Sequence, residues 1–357
     1  MKTRDNIQDM LTYLQAAEEQ AIDFDHDAII AGYQDNKAQH SLTIKILTVF
    51  GGILASLAFL GFLLVSGMYD SGIALCFLGV ICIVAAVWIN RQYDLFIFDT
   101  ISISCFIIGF FTLGAGMLTC KAGDSFVCLV FIFFSAAALI AVQRYIISFI
   151  SVLVINGSIL ALLVENDAYA FIAFYTASLA WLTFYLFRKE ARALASRHAF
   201  TMLYEPLRPG LILSLLSALF LMGKKALFPF AEVYVWLCSI AIIAVIVHLI
   251  TKLYSFLNIV KAQHRVIICM LTIIVLIPTG LSPAISGSLL IILLCFMVNY
   301  KTGLVTGILS FIYFISQFYY DMRFSLLIKS ELLLISGLFF IALYLLTNKK
   351  LAGNEKI

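Results

Sequence analysis

The chain alternates between long apolar runs and short polar segments, and the lengths of the runs predict membrane-spanning helices. A helix needs about 20 mostly apolar residues to cross the hydrocarbon core of a bilayer. The predicted spans are 46–67, 71–89, 96–119, 125–142, 145–164, 168–187, 210–222, 227–250, 266–280, 283–299, 303–319 and 331–347. Since 210–222 and 266–280 are short, the pattern predicts an all-α, polytopic transmembrane helix bundle with about twelve spans, within a range of ten to twelve.

The polar segments divide the chain into five predicted regions. Residues 1–45 carry apolar side chains at helical spacing, which predicts a cytoplasmic amphipathic segment. The spans then fall into two groups of six, 46–187 and 210–347, separated by a basic cytoplasmic loop at 188–209 and followed by a cytoplasmic tail at 348–357. A six-plus-six division resembles transporters built from two similar halves, although no residue-level repeat links these two.

The distribution of lysine and arginine predicts the orientation. Short cytoplasmic loops retain these residues. With both termini in the cytoplasm, most of the 23 Lys and Arg residues fall on the inner side, and the exceptions are Lys121, Lys224, Lys225, Arg323 and Lys329. The predicted outer loops are too short to form a folded external domain.

Composition supports a membrane protein and excludes other classes. Hydrophobic residues make up 63% of the chain and charged residues 12%, against about 45–50% and about 25% in soluble domains. The net charge of +3 is small and scattered, so nucleic acid is not an expected partner. The expected surroundings are a lipid bilayer.

The eight cysteines lie mostly within apolar runs and form no CxxC pair. They are interpreted as small apolar residues rather than as a disulfide framework or a zinc site. Cys120 and Cys128 flank one predicted outer loop, so a bridge between them is an alternative to two free thiols in an oxidising compartment.

A few polar side chains fall inside the predicted spans. Asp99 and His248 lie near inner ends, and Glu232 lies near an outer end. An ionisable group at membrane depth is costly and often functional, so each is either an interfacial helix-end residue or a group that handles protons or ions. Asn156 and Gln317 lie deeper and predict either hydrogen bonds between helices or contacts to a substrate.

No arrangement of residues in the sequence specifies catalysis. The five histidines are not spaced as ligands on one helical turn, and no Gly-rich phosphate loop occurs. A nucleophile with a base, or paired carboxylates on one face, is also not evident. We therefore expect a non-enzymatic protein with no metal and no cofactor, although residues brought together only by the fold remain an alternative.

The segment from residue 317 to residue 346, QFYYDMRFSLLIKSELLLISGLFFIALYLL, carries a distinctive combination of a Tyr-Tyr pair, a Leu-Leu-x-Lys-Ser run and a glycine in the last span. It resembles the closing signature of a bacterial membrane family, domain of unknown function 4401, with Ser325 at a position where threonine is expected. The matching positions are Tyr319, Tyr320, Leu326, Leu327, Lys329, Ser330 and Gly337. The resemblance implies a multi-pass protein of the bacterial inner membrane and a companion membrane or periplasmic protein, and it implies no biochemical activity.

The same segment is the most site-like part of the predicted surface. The candidate partner-binding residues are Tyr319, Tyr320, Asp321, Arg323, Lys329, Ser330 and Glu331. They predict either an interfacial aromatic belt whose charges pair with one another, or a docking surface for a partner. Three functions are considered: a non-enzymatic component that acts with a partner protein, a secondary transporter or flippase, and, least favoured, a membrane-embedded enzyme.

Overall fold

A computed structural model describes residues 42–67, 70–92, 96–142, 144–188, 198–224, 228–256, 269–273, 275–321, 325–331, 334–335, 337–338, 341 and 345. These parts of the chain are helical and contain no strand. The helices are α1 (Leu42–Val65), α2 (Gly72–Gln92), α3 (Phe96–Thr119), α4 (Asp124–Ala141), α5 (Tyr145–Glu165), α6 (Tyr169–Arg188), α7 (His198–Gly223), α8 (Glu232–Phe256), α9 (Pro283–Met297) and α10 (Lys301–Asp321). Most of the segment 1–45, part of the basic loop, Arg323 and the tail 348–357 lie outside the described residues.

Eight helical segments in the described parts are long and apolar enough to cross a membrane. They are Gly72–Gln92, Phe98–Thr119, Asp124–Ala141, Tyr145–Glu165, Tyr169–Arg188, Leu203–Gly223, Glu232–Thr251 and Lys301–Asp321. The prediction of a helical membrane protein is thus supported, whereas the count of about twelve spans and the cytoplasmic termini stay predictions. Shorter apolar stretches occur at Phe50–Leu63, Cys269–Leu281 and Pro283–Met297.

One predicted span is longer than the sequence indicates. The run 210–222 lies within α7, which begins at His198 and includes Pro206 and Pro209. The two prolines and the charged residues around them give this stretch the composition of a loop, but the chain is helical there. Residues 198–209 are therefore not part of a loop in the structure.

A second departure concerns the predicted spans 266–280 and 283–299. Residues Ile277–Leu281 form a 3₁₀ helix, and Pro283 occupies the first turn of α9, where its fixed φ and missing N–H are tolerated. At 1.5 Å per residue, the 15 residues of α9 extend roughly 22 Å, less than the roughly 30 Å of a bilayer core.

Three short turns share one mechanism for ending a helix. After α3, α5 and α9 the chain takes a left-handed conformation at Lys121, Asp167 and Asn299, with φ of 55°, 51° and 54°. The following amide then donates back across the turn, as from Ala122 N to Met117 O at 2.9 Å. Such bonds satisfy carbonyls that have no partner inside the helix, which permits the tight reversals between these spans.

The chain forms two compact units, unit 1 (Met1–Ile155) and unit 2 (Asn156–Ile357). In unit 1, glycines pack α2 against α3. A Cβ added at Gly79 would lie 2.7 Å from Leu113 N, and one added at Gly116 would lie 2.6 Å from Cys76 N. Backbones can approach this closely only where the residues between them are small. Small residues at helix contacts are common in membrane proteins.

In unit 2, α6 shows how one helix face is buried. Ile172, Leu179 and Phe187 are nearly inaccessible and follow helical spacing, while Phe171 and Trp181 on other faces are 65% and 57% exposed. The buried face packs in a core shared with α7, α8 and α9. Large exposed apolar side chains are what a helix presents to lipid tails, so the pattern of α6 fits a bilayer.

Candidate functional site

The buried Lys329 is the centre of the Tyr-Tyr motif. Its side chain is 8% exposed, and its Nζ donates a hydrogen bond to the carbonyl oxygen of Tyr319 at 2.8 Å. The same ammonium lies 5.0 Å from the centroid of the Tyr319 ring. Since Tyr319 is in the last turn of α10, the lysine caps a helix C-terminus, where partial negative charge attracts a cation.

The cap leaves a group of exposed apolar side chains next to it, here called the Tyr320 surface and defined as Tyr320, Leu326 and Leu327. These residues are 79%, 78% and 66% exposed. The Tyr320 ring meets that of Tyr319 edge to face at 5.8 Å. Lys329 therefore connects the end of α10 with the segment 326–331, and each of these segments contributes to the surface.

The other described motif residues make no use of the Lys329 ammonium. Ser330 Oγ donates to the carbonyl of Leu327 at 2.7 Å, so its hydroxyl is used locally. Asp321 and Glu331 are exposed. Arg323 lies outside the described residues. Within the described part of the segment, the lysine contacts α10 through a carbonyl and a ring rather than through an ion pair with Asp321 or Glu331.

Gln317 caps a second helix at the same end of unit 2. Its Nε2 donates to the carbonyl of Gly223, the last residue of α7, at 3.0 Å. Its Oε1 is buried and has no hydrogen-bond partner among the described residues. Of the two interpretations offered by the sequence, the geometry favours the hydrogen bond between helices.

Asn156 also joins two helices. It is 9% exposed on α5, and its Oδ1 accepts a hydrogen bond from the hydroxyl of Tyr175 on α6 at 2.5 Å. A buried amide with such a partner fits the helix-to-helix role expected of polar side chains in membranes. The contact to a substrate stays a prediction.

Asp99 lies in a polar cluster of unit 1. Its Oδ1 accepts a hydrogen bond from Asn90 Nδ2 at 3.0 Å and lies 3.3 Å from Arg144 Nη1. Asn90 is 2% exposed, and burial lowers the pKa of the Arg144 guanidinium, which remains charged at any ordinary pH. The cluster joins the end of α2, the first turn of α3 and the residue before α5, so it fixes three chain segments electrostatically.

Glu232 and His248 are placed at the surface of α8. Glu232 is exposed in the first turn, where a carboxylate suits the helix dipole. His248 is exposed, and its ring lies 5.5 Å from that of Phe184 in an edge-to-face arrangement. No group of three or more His, Cys, Asp and Glu side chains that could hold a metal ion occurs among the described residues.

An apolar groove with a volume of about 760 Å³ lies between α5, α7 and α10 in unit 2. Ser217, Ser310 and Tyr313 supply its hydroxyl groups, and the remaining lining is apolar. Phe220, which lines the groove, stacks on Tyr313 at 6.0 Å and carries the Lys224 ammonium 5.2 Å from its ring centroid. A cation therefore lies against the ring of one lining residue, although Lys224 itself does not line the groove.

Sequence reasoning missed the arrangement of Arg208. Its guanidinium carbon lies 4.8 Å from the Tyr204 ring centroid and 4.9 Å from that of Tyr300. Tyr204 is 1% exposed on α7, one turn before Arg208, and Tyr300 directly precedes α10. The sequence analysis treated Arg208 only as one of the charges of a cytoplasmic loop. The i, i+4 spacing of Tyr204 and Arg208 could have indicated a contact between the two side chains on one helix.

The structure holds all eight cysteines in the reduced state and shows no bond between Cys120 and Cys128.

Comparison with curated proteins and with solved structures gives no match. A family described as "Domain of unknown function (DUF4401)" matches residues 41–350, which includes nearly all of the apolar chain and the Tyr-Tyr motif. The resemblance drawn from the last spans thus extends over most of the sequence. The chain belongs to the domain of unknown function 4401 family.

Proposed function

We propose that this protein is a non-enzymatic component of a bacterial inner membrane and that it acts with a companion membrane or periplasmic protein docked at the Tyr320 surface. The observation that carries the proposal is the burial of Lys329 against Tyr319. A lysine ammonium is costly to bury without hydrogen bonds and counter-dipoles. Its position beside Tyr319, whose ring packs on the exposed Tyr320, supports a structure that holds these side chains in place.

The chemistry of the Tyr320 surface suits a protein partner. Tyrosine offers a large, rigid contact area with a polar tip, and it is enriched in the residues that dominate binding energy. Leu326 and Leu327 add exposed apolar area, while Asp321 and Glu331 supply charges near its edge. A partner of matching chemistry would cover the apolar part and present cations to the two carboxylates.

Site-specific photo-crosslinking tests the proposal. A benzophenone amino acid replaces Tyr320 in the native membrane, and the matched control places it at Phe133, which is 68% exposed on α4 of unit 1. We expect a discrete protein adduct from position 320 and diffuse or lipid adducts from position 133. The same pattern at the two positions would refute docking at the Tyr320 surface.

A second candidate function is lipid handling, as in a flippase, and the groove with Lys224 is the observation that favours it. Its volume of about 760 Å³ is in the range of ligand sites. In this alternative, acyl chains occupy the apolar wall, and an anionic headgroup pairs with Lys224.

Native mass spectrometry of the detergent-solubilised protein distinguishes this alternative. Ser217→Trp fills the groove, and Ser178→Trp, at an exposed serine of α6 outside it, is the control. Loss of bound anionic phospholipid from the Ser217 variant alone supports lipid binding. Equal lipid retention by the two variants counts against it.

A further inference from the structure

Two thiols meet across α2 and α3 in unit 1. Cys76 lies in the second turn of α2, and Cys120 directly follows the last residue of α3. The side chains of Cys76 and Cys120 lie close enough to interact with one another. The cysteine that follows α3 therefore has a thiol of α2 as a neighbour.

Reciprocal glycines explain why the two sulfur atoms can meet. A Cβ added at Gly116, one turn before Cys120, would lie 2.8 Å from Cys76 Sγ. One added at Gly72, one turn before Cys76, would lie 2.6 Å from Cys120 Sγ. Each helix thus has a glycine and a cysteine four residues apart, and each sulfur occupies the space that the opposite glycine leaves open.

The two thiols differ in access. Cys120 is exposed, whereas Cys76 is half-buried. An exposed thiol at a turn can meet an external oxidant, and a half-buried neighbour can then complete an intramolecular exchange. The predicted orientation places this turn on the outer side of the membrane, where disulfides form and persist.

We propose that Cys76 and Cys120 form an intramolecular disulfide that joins the adjacent ends of α2 and α3. The oxidant is a disulfide-containing thiol oxidase of the cell envelope. The Cys120 thiolate attacks the oxidase disulfide, which gives a mixed disulfide and releases one oxidase thiolate. The Cys76 thiolate then attacks Cys120 Sγ and releases the second oxidase thiolate. The two cysteines lose two protons and two electrons, and the oxidase disulfide is reduced to a dithiol.

Thiol counting tests the disulfide. Membranes are prepared with a rapid acid quench that stops thiol exchange, then denatured and labelled at neutral pH with a polymer-linked maleimide, with and without prior reduction. Because the chain has eight cysteines and the disulfide removes two, we expect six labels without reductant and eight with it. Mass spectrometry of the non-reduced digest is expected to give one linked peptide pair that contains Cys76 and Cys120.

Three variants make the result specific. Either Cys76→Ser or Cys120→Ser is expected to leave seven free thiols with or without reductant, whereas Cys128→Ser keeps a protected pair. Cys82 and Cys105 are also neighbours across α2 and α3, but they lie deeper in the helices. They are an internal control for a pair of nearby thiols that the external oxidase does not reach. Both are expected to be labelled without reductant. Eight labels on the wild type without reductant, or a protected pair that survives Cys76→Ser, would overturn the proposal. Neither result bears on docking at the Tyr320 surface.

Discussion

Replacement of Lys329 by methionine tests whether the motif lysine holds the end of α10. Methionine keeps much of the apolar stem but removes the ammonium that donates to Tyr319 O at 2.8 Å. A hydrogen bond from a charged donor contributes about 1.5–3 kcal/mol, and a cation–π contact adds about 0.5–2 kcal/mol. The Lys329 side chain is only 8% exposed, so its ammonium loses hydration on folding, and methionine avoids that cost. This gain offsets part of the lost interaction energy, and we expect a net destabilisation of about 2 kcal/mol.

The assay is equilibrium unfolding in mixed micelles with increasing dodecyl sulfate, followed by circular dichroism. The matched control is Lys301→Met, because Lys301 is an exposed lysine in the first turn of the same helix. A cation at a helix N-terminus is unfavourable, so its removal is expected to leave the unfolding free energy unchanged or to raise it slightly. Equal unfolding free energies for the two variants would refute the capping role of Lys329.

Three further predictions concern packing and polar contacts, each measured as an unfolding free energy in mixed micelles. Gly116→Ala is expected to cost about 1–3 kcal/mol because its Cβ would meet backbone of α2, while Gly61→Ala, with nothing within 4 Å of the new Cβ, is expected to be neutral. Asn156→Leu is expected to cost about 1 kcal/mol through loss of the bond between α5 and α6, and an unchanged stability would contradict that role. For Asp99 and Arg144, a double-mutant cycle of Asp99→Asn with Arg144→Gln is expected to give a coupling of about 1 kcal/mol, and a value near zero would show that the pair does not interact.

Much of the fold could be predicted because a bilayer imposes one length scale on apolar runs. The runs 96–119 and 145–164 correspond closely to α3 and α5, since every backbone group in lipid needs an intrahelical partner. The predicted start of a helix was wrong where residues with a loop-like composition are helical. In α7, Pro206 and the charged residues beside it obscured twelve helical residues that precede the run 210–222.

Contacts between distant positions could not be predicted. The sequence identified Asn156 as a polar residue in a span but gave no means to assign Tyr175 as its partner. It offered a Cys120–Cys128 bridge as an alternative to free thiols because these residues flank one loop, and it did not indicate that packing at Gly72 and Gly116 places Cys76 beside Cys120. Such contacts depend on which helix faces meet, and hydropathy carries no information on that.

The candidate site was located in part. The motif placed Tyr319, Tyr320 and Lys329 in one segment, and the likeness to the family extends along residues 41–350. What the sequence could not show is that the lysine is buried and bonded to a carbonyl rather than paired in a surface charge cluster. Ten positions separate Lys329 from Tyr319, and only the return of the chain after α10 brings them together.

Photo-crosslinking at position 320 in two backgrounds tests the central claim most directly. The claim is that Lys329 holds the end of α10 so that the Tyr320 surface can dock a companion protein. With the benzophenone at position 320, we predict one discrete protein adduct in the Lys301→Met background and at least a several-fold weaker adduct in the Lys329→Met background at equal membrane abundance. An adduct of equal strength in the two backgrounds, or no protein adduct in either, would contradict the account.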